Sequence, residues 1–160
     1  MAKKKVSKKT AVAEIVQSFR RIFKAIQQYS EEVLKEFGVT GPQLWLLKTL
    51  PREGGTSVGE LSRKMYLHIS TVSGIIDRLE AKSYVARKRG EADRRVVTVH
   101  LTAAGKRIVD KAPEPSQGKL LHSLQNLSEK EVLEMHEALQ KIVRFMEVEE
   151  MEVKFFFSEE

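Results

Sequence analysis

Between Ser57 and Leu101 the chain sets two short helical patterns ahead of two strand patterns, and a basic, turn-forming stretch joins the strands: Arg87-Lys88-Arg89-Gly90-Glu91-Ala92-Asp93-Arg94-Arg95. Ser57-Val58-Gly59-Glu60 has the spacing of a capping box and opens the first helix, with Val58, Leu61 and Met65 inward. After a break at Leu67-His68, a second helix is expected from Ile69 to Lys82. Its apolar residues Val72, Ile75, Ile76 and Leu79 recur at i, i+3, i+4, i+7. Tyr84–Arg89 and Arg95–Leu101 then read as strands, Val97, Val99 and Leu101 alternating with Thr98 and His100, and residues 90–94 form the hairpin tip. Helix, turn, helix and charged ribbon in this order leave few folds open.

The flanks narrow them further. Residues 1–10 read as a basic flexible tail, with a phosphate-seeking arm as the alternative. From Ala11 to Phe37, Ile15, Phe19, Ile22, Ile26, Tyr29 and Val33 repeat at gaps of four and three, a heptad seam that Val12, Val16 and Phe23 widen. Thr40-Gly41-Pro42-Gln43 is a capping box with an early proline. It starts a helix to Leu50 that is apolar nearly all round and is therefore expected to be buried. Thr102 caps a helix to Ala112, Pro113 and Pro115 interrupt it, and a further piece covers Ser116–Asn126. Ser128-Glu131 is a third capping box, ahead of a last helix with a heptad seam at Val132, Met135, Leu139, Ile142 and Met146. The fold class implied is mainly α with a small β wing. Residues 40–102 form a winged helix-turn-helix unit, residues 11–37 and 103–150 a helical region suited to pairing with a second copy, and residues 151–160 an acidic tail holding Phe155-Phe156-Phe157.

The net charge of +6 hides a split. Residues 1–30 carry eight Lys/Arg against one acid and residues 52–107 twelve against six, whereas residues 128–160 carry four against ten. A basic middle and an acidic end give one surface a polyanion would seek and another with different work. The absence of cysteine excludes disulfides, thiolate zinc sites and thiol redox sensing. His68, His100, His122 and His136 are scattered, with no pair at metal-ligand spacing, so no metal or cofactor is expected. No segment is apolar and long enough to span a bilayer, and no apolar stretch follows the N-terminal lysines as in a secretory signal. The expectation is a cytoplasmic protein with no membrane partner.

Gly55-Thr56-Ser57-Val58-Gly59 matches the G-x-S-x-G of a hydrolase nucleophile elbow, but that motif needs a preceding strand atop a large parallel sheet. Here a helix and Pro51 precede it, and Ser57 is better read as a helix cap. No phosphate-binding glycine loop or paired-carboxylate site is present, so an enzyme is not expected.

The second helix of the pair presents a small, polar outer stripe of Ser70, Ser73, Gly74 and Asp77, flanked by Thr71 and Arg78. A helix meant only for water usually carries long charged residues, whereas one meant to press into a groove benefits from small ones. Ser70, Thr71 and Ser73 can exchange hydrogen bonds with base edges, and Arg78 can reach a base or a phosphate. The ribbon tip supplies arginines suited to the minor groove. Arg63, Lys64, Arg87, Lys88 and Arg89 are the candidate phosphate contacts. The implied partner is double-stranded DNA, read by a regulator. A sequence-independent architectural DNA binder and a winged-helix protein-interaction module are the alternatives.

Over residues 10–150 the chain resembles the MarR family of multiple-antibiotic-resistance-type regulators. The most specific part is Leu61–Thr102, above all Ser70–Thr102, where Asp93-Arg94-Arg95, a strand and Leu101-Thr102 follow the family's D-x-R…LT pattern. The resemblance implies a winged helix-turn-helix, an obligate homodimer built from the terminal helices, palindromic operators, and often repression relieved by a small aromatic or anionic effector. It makes Arg95 the residue inserted in the minor groove and Asp93 its brace, with Arg94 the competing choice. It also implies a cleft between the long helices and the winged unit, near which Phe19, Phe23, Tyr29 and Trp45 are the aromatic residues. Two departures stand out: Ser83 occupies the turn where glycine is frequent, and His68 precedes the recognition helix where a small capping residue is usual.

Overall fold

The centre of the molecule is a nine-residue helix, α2 (Gly41–Thr49), that is buried along most of its surface, with only Trp45, Lys48 and Thr49 partly exposed. Leu44, Leu46 and Leu47 are fully buried, with Val39 and Leu50 closing its ends. Its start is fixed locally: Thr40 Oγ1 accepts from the Gln43 amide at 3.5 Å while Gln43 Oε1 accepts from the Thr40 amide at 3.1 Å. The computed structural model describes residues 6–89 and 97–150.

Ahead of α2 runs α1 (Lys8–Phe37), ended by Gly38 in the left-handed conformation with its amide on Leu34 O. α1 begins three residues before the expected start at Ala11. Ser7 Oγ accepts from the Thr10 amide at 3.2 Å, and lysines 8 and 9 continue the helix readily. After α2 come a two-residue strand β1 (Thr56–Ser57), α3 (Val58–Met65), α4 (Ile69–Ala81), the ribbon β2 (Val85–Arg89) and β3 (Val97–Leu101), and then α5 (Ala103–Lys111), α6 (Ser116–Gln125) and α7 (Glu129–Phe145). The sheet is antiparallel in the order β1-β3-β2, with Thr56 opposite Val99 and Arg87 opposite Val99 on the other side.

α3, α4 and the sheet wrap the α2 core. Leu61 and Met65 from α3, Val72, Ile76 and Leu79 from α4, and Val85 and Val99 from the ribbon are all buried. α5 is seated by a close approach. A Cβ on Gly105 would stand 2.1 Å from Tyr84 O, so only glycine lets the helix meet that backbone. Thr102 ties the same corner, accepting from the Gly105 amide at 3.1 Å and donating to Ser83 O at 2.7 Å.

The two terminal helices behave differently. α1 buries only Val33, and α7 buries none of its residues. Val12, Ile15, Ile22 and Phe23 on α1, and Leu133, Met135 and Leu139 on α7, are exposed. Among the described residues no helix is long and apolar enough to cross a membrane.

Candidate nucleic-acid interface

α4 buries Val72, Ile75, Ile76 and Leu79, and that choice of inner face dictates what points outward. Ser70, Gly74, Asp77 and Arg78 are exposed, and Thr71 and Ser73 are half-buried at the edges. A Cβ on Gly74 would meet nothing within 4 Å, so the glycine answers no packing demand and simply keeps the outer face low. The five recognition-helix residues expected from the sequence thus share one helix and one side of it.

Both ends of α4 are unusual. His68 holds the N-cap position with extended backbone and no side-chain cap bond. At the other end Ser83 adopts the left-handed conformation, φ 58°. Its amide reaches Glu80 O at 2.8 Å, and that of Tyr84 reaches Leu79 O at 2.9 Å. This is a Schellman turn with serine where glycine costs least.

The ribbon rises from that turn. Lys88 and Arg89 are exposed on its stem. Arg87 is placed differently from the phosphate contact expected of it, because its guanidinium is already taken. Nη2 donates to Asp77 Oδ1 at 2.6 Å, Nη1 donates to Glu80 Oε2, and the Arg87 amide donates to Glu80 Oε1 at 3.0 Å. The Arg87 amide, and after it the guanidinium, hold the Glu80 carboxyl below the usual carboxylate range. Arg87 is therefore a strut between the ribbon and α4. The sequence signal was present as two carboxylates three residues apart on α4, but which strand cation they meet depends on the fold. The tip residues Asp93, Arg94 and Arg95 lie outside the described residues. On α3, Arg63 and Lys64 are exposed, and Lys64 pairs with Glu60 at 2.8 Å.

The four aromatic residues expected near a cleft separate into two pairs. Tyr29 and Trp45 both pack on the core. A Cβ on Gly41 would lie 3.6 Å from the Tyr29 ring, and one on Gly118 would lie 3.9 Å from the Trp45 indole. Gly41 and Trp45 are one turn apart on α2, so Tyr29 and Trp45 line the same seam, bordered by α1 and α6. Phe23 and Phe19 lie about 9 and 15 Å up α1 from Tyr29, at 1.5 Å per residue, and are not brought to that seam within one chain. In the seam the Tyr29 hydroxyl and Ser30 Oγ are buried with no hydrogen-bond partner among the described residues. Burial, and after it the negative charge of Glu114, pushes the Tyr29 phenol up to about 12. Among the described residues there is no cluster of His, Cys, Asp and Glu that could hold a metal ion.

The sequence profile of the MarR family matches residues 39–97, from the start of α2 into β3. An HTH-type transcriptional regulator of Bacillus subtilis, YsmB, itself uncharacterised, is 36% identical over 131 residues, 82% of this chain and 90% of its own length. This chain belongs to the MarR family. The B. subtilis HTH-type transcriptional repressor MdtR is 30% identical, over 87% of this chain and 90% of its own. The solved structure of a MarR family protein from Bacillus stearothermophilus superposes with a TM-score of 0.52 at 35% identity, covering 88% of this chain and 99% of that one. The fold is accordingly a MarR winged helix-turn-helix, and the protein is a DNA-binding transcription regulator, not an enzyme.

Proposed function

We propose that this MarR protein is a homodimeric, cytoplasmic repressor that binds a palindromic operator and leaves it when a small aromatic or anionic molecule binds. The observation that carries the reading is the pair of solvent-facing apolar stripes on α1 and α7, at opposite ends of the chain, around a winged unit whose α4 has a shallow polar outer face. Each exposed Leu, Ile or Phe is worth about 1.5–3 kcal/mol when fully buried. A second copy related by a two-fold axis offers the same stripes in return. The relative MdtR is named a repressor. In this reading residues 11–37 and 103–150 pair the subunits and residues 40–102 meet DNA. Ser70, Thr71, Ser73, Gly74 and Arg78 face base edges, and Lys88 and Arg89 face phosphate. Arg95, or Arg94 in its place, enters the minor groove with Asp93 as brace. The two unpartnered hydroxyls of Tyr29 and Ser30, beside Trp45, support a ligand carrying hydrogen-bonding groups on an aromatic body.

The test is spacing. Two recognition helices on a two-fold dimer enter successive major grooves about 10 base pairs apart. Inserting about 5 base pairs between half-sites places them on opposite faces of the duplex and should abolish specific binding. Affinity indifferent to that insertion would mark an architectural binder. A stable folded monomer in sedimentation at micromolar concentration would remove the dimer.

A further inference from the structure

The turn between α3 and α4 exposes two large apolar side chains that the core does not use. Tyr66 is 73% exposed and Ile69 59%. With Ser62, Leu67, His68 and Ser70 they line one open depression at the N-terminal end of α4. Every other large apolar residue of α4 is buried. The turn itself is held firmly. Tyr66 is in the left-handed conformation with its amide on Arg63 O at 3.3 Å, the Leu67 amide reaches Ser62 O at 3.1 Å, and Ser62 Oγ donates back to Leu67 O. Ile69 is therefore presented at a fixed position as the first residue of the recognition helix.

The N-terminal residues of such a helix are those that reach base edges in the major groove. Ser70, Thr71 and Ser73 can exchange hydrogen bonds there, which every base pair offers in some pattern. An aliphatic side chain has one matching partner, the 5-methyl group of thymine. The depression also shares Ser70 with the polar stripe, so DNA seated on α4 covers Ile69, and another protein docked at Ile69 would compete with that DNA. We infer that Ile69, with the Tyr66 ring beside it, reads a thymine methyl group in each half-site. The inference rests on the sequence-specific reading above and adds a specificity-determining residue to it.

The experiment begins with selection of preferred duplexes from a random library by the full chain. In the selected duplex each thymidine is replaced in turn by deoxyuridine, which removes the methyl group and leaves every hydrogen-bonding edge intact. One position per half-site is expected to lose about four-fold in affinity, the equivalent of one buried methyl group. Ile69→Ala should bind thymidine and deoxyuridine duplexes alike, and Ile69→Val should keep most of the discrimination. Because Ile69 is outside the core, both variants should melt with the parent. A parent protein indifferent to every deoxyuridine, or Ile69→Ala that keeps the discrimination, overturns the inference and leaves the repressor reading standing. A library that yields no preferred sequence overturns both.

Discussion

Replacing Glu80 by alanine tests whether the ribbon stem is braced against the recognition helix. Glu80 accepts from the Arg87 amide at 3.0 Å and from its guanidinium, while Asp77 takes the other guanidinium nitrogen at 2.6 Å. A hydrogen bond to a charged group contributes about 1.5–3 kcal/mol, whereas exposed ion pairs contribute about 0.2–1 kcal/mol. The Glu80 side chain is 40% exposed and that of Asp77 65%, so solvent screening discounts both. Glu80→Ala should cost about 1–2 kcal/mol and Asp77→Ala about 0.5 kcal/mol or less. For a chain of this size each kcal/mol lowers Tm by about 2–4 °C, so alanine at 80 should melt about 2–8 °C early at fixed protein concentration. Glu80→Gln, which keeps an acceptor for the amide, should lose about half as much. The pH dependence follows from the lowered Glu80 carboxyl. Its contribution is complete above the unfolded value near 4.5 and is lost as the pH falls through the lower folded value. The gap between parent and Glu80→Ala, followed by circular dichroism, should therefore be constant well above the unfolded value and narrow as the pH falls below it, leaving the share that an uncharged acceptor keeps. A variant melting within a degree of the parent at neutral pH, or a gap that does not narrow in acid, would refute the brace.

Two further substitutions probe single features. Ser83→Gly removes a left-handed non-glycine residue and should raise stability by about 1 kcal/mol; a lower urea midpoint would mean that the Ser83 side chain has a favourable role its backbone hides. Tyr29→Phe deletes a buried hydroxyl without a partner, so stability should hold or rise by about 1 kcal/mol, while affinity for a phenolic effector falls; loss of stability would show that the hydroxyl is satisfied in solution.

What the sequence made legible here is local. Thr40, Ser57, Thr102 and Ser128 cap helices as their spacing suggested, because a cap is settled within four residues. At Ser57 only half of the expected box forms, since the Glu60 carboxylate goes forward to Lys64 at 2.8 Å instead of back to the cap amide. Ser83 in a left-handed turn and His68 as a poor cap could both be anticipated from their neighbours. The misses are non-local. β1 is two residues long, too short for an alternating pattern, and exists only because Val99 and Thr98, some forty residues on, pair with it. Arg87 looked like any other cation of the ribbon until the fold put α4 carboxylates under it. Tyr29 against Gly41 and Trp45 one turn on border a seam that no periodicity announces, while Phe19 and Phe23 share only the helix with Tyr29. The roles proposed for Asp93, Arg94 and Arg95 come from the family's D-x-R…LT pattern.

The bonds around the recognition helix also say where the subunit can bend. The C-terminal end of α4 is pinned from three sides: Lys82 Nζ donates to Gly38 O at 2.7 Å, Thr102 Oγ1 donates to Ser83 O at 2.7 Å, and Arg87 fastens the ribbon. These bonds tie α4, the ribbon, the start of α5 and the end of α1 into one block. The link from α5 to α6 is held more lightly, by Lys48 to the exposed Glu114 at 3.3 Å, a pair that contributes on the order of 1 kcal/mol. Pro113 and Pro115 there deny the helix its backbone bonds. A ligand at the Tyr29–Trp45 seam would sit between the block and α6, whose Gly118 lies against Trp45. On this geometry it would act by tilting the block against α6, not by distorting the recognition helix. Its leverage would be limited to its differential affinity for the two tilts, and weakening the Lys48–Glu114 link should make the tilt easier without touching DNA contacts.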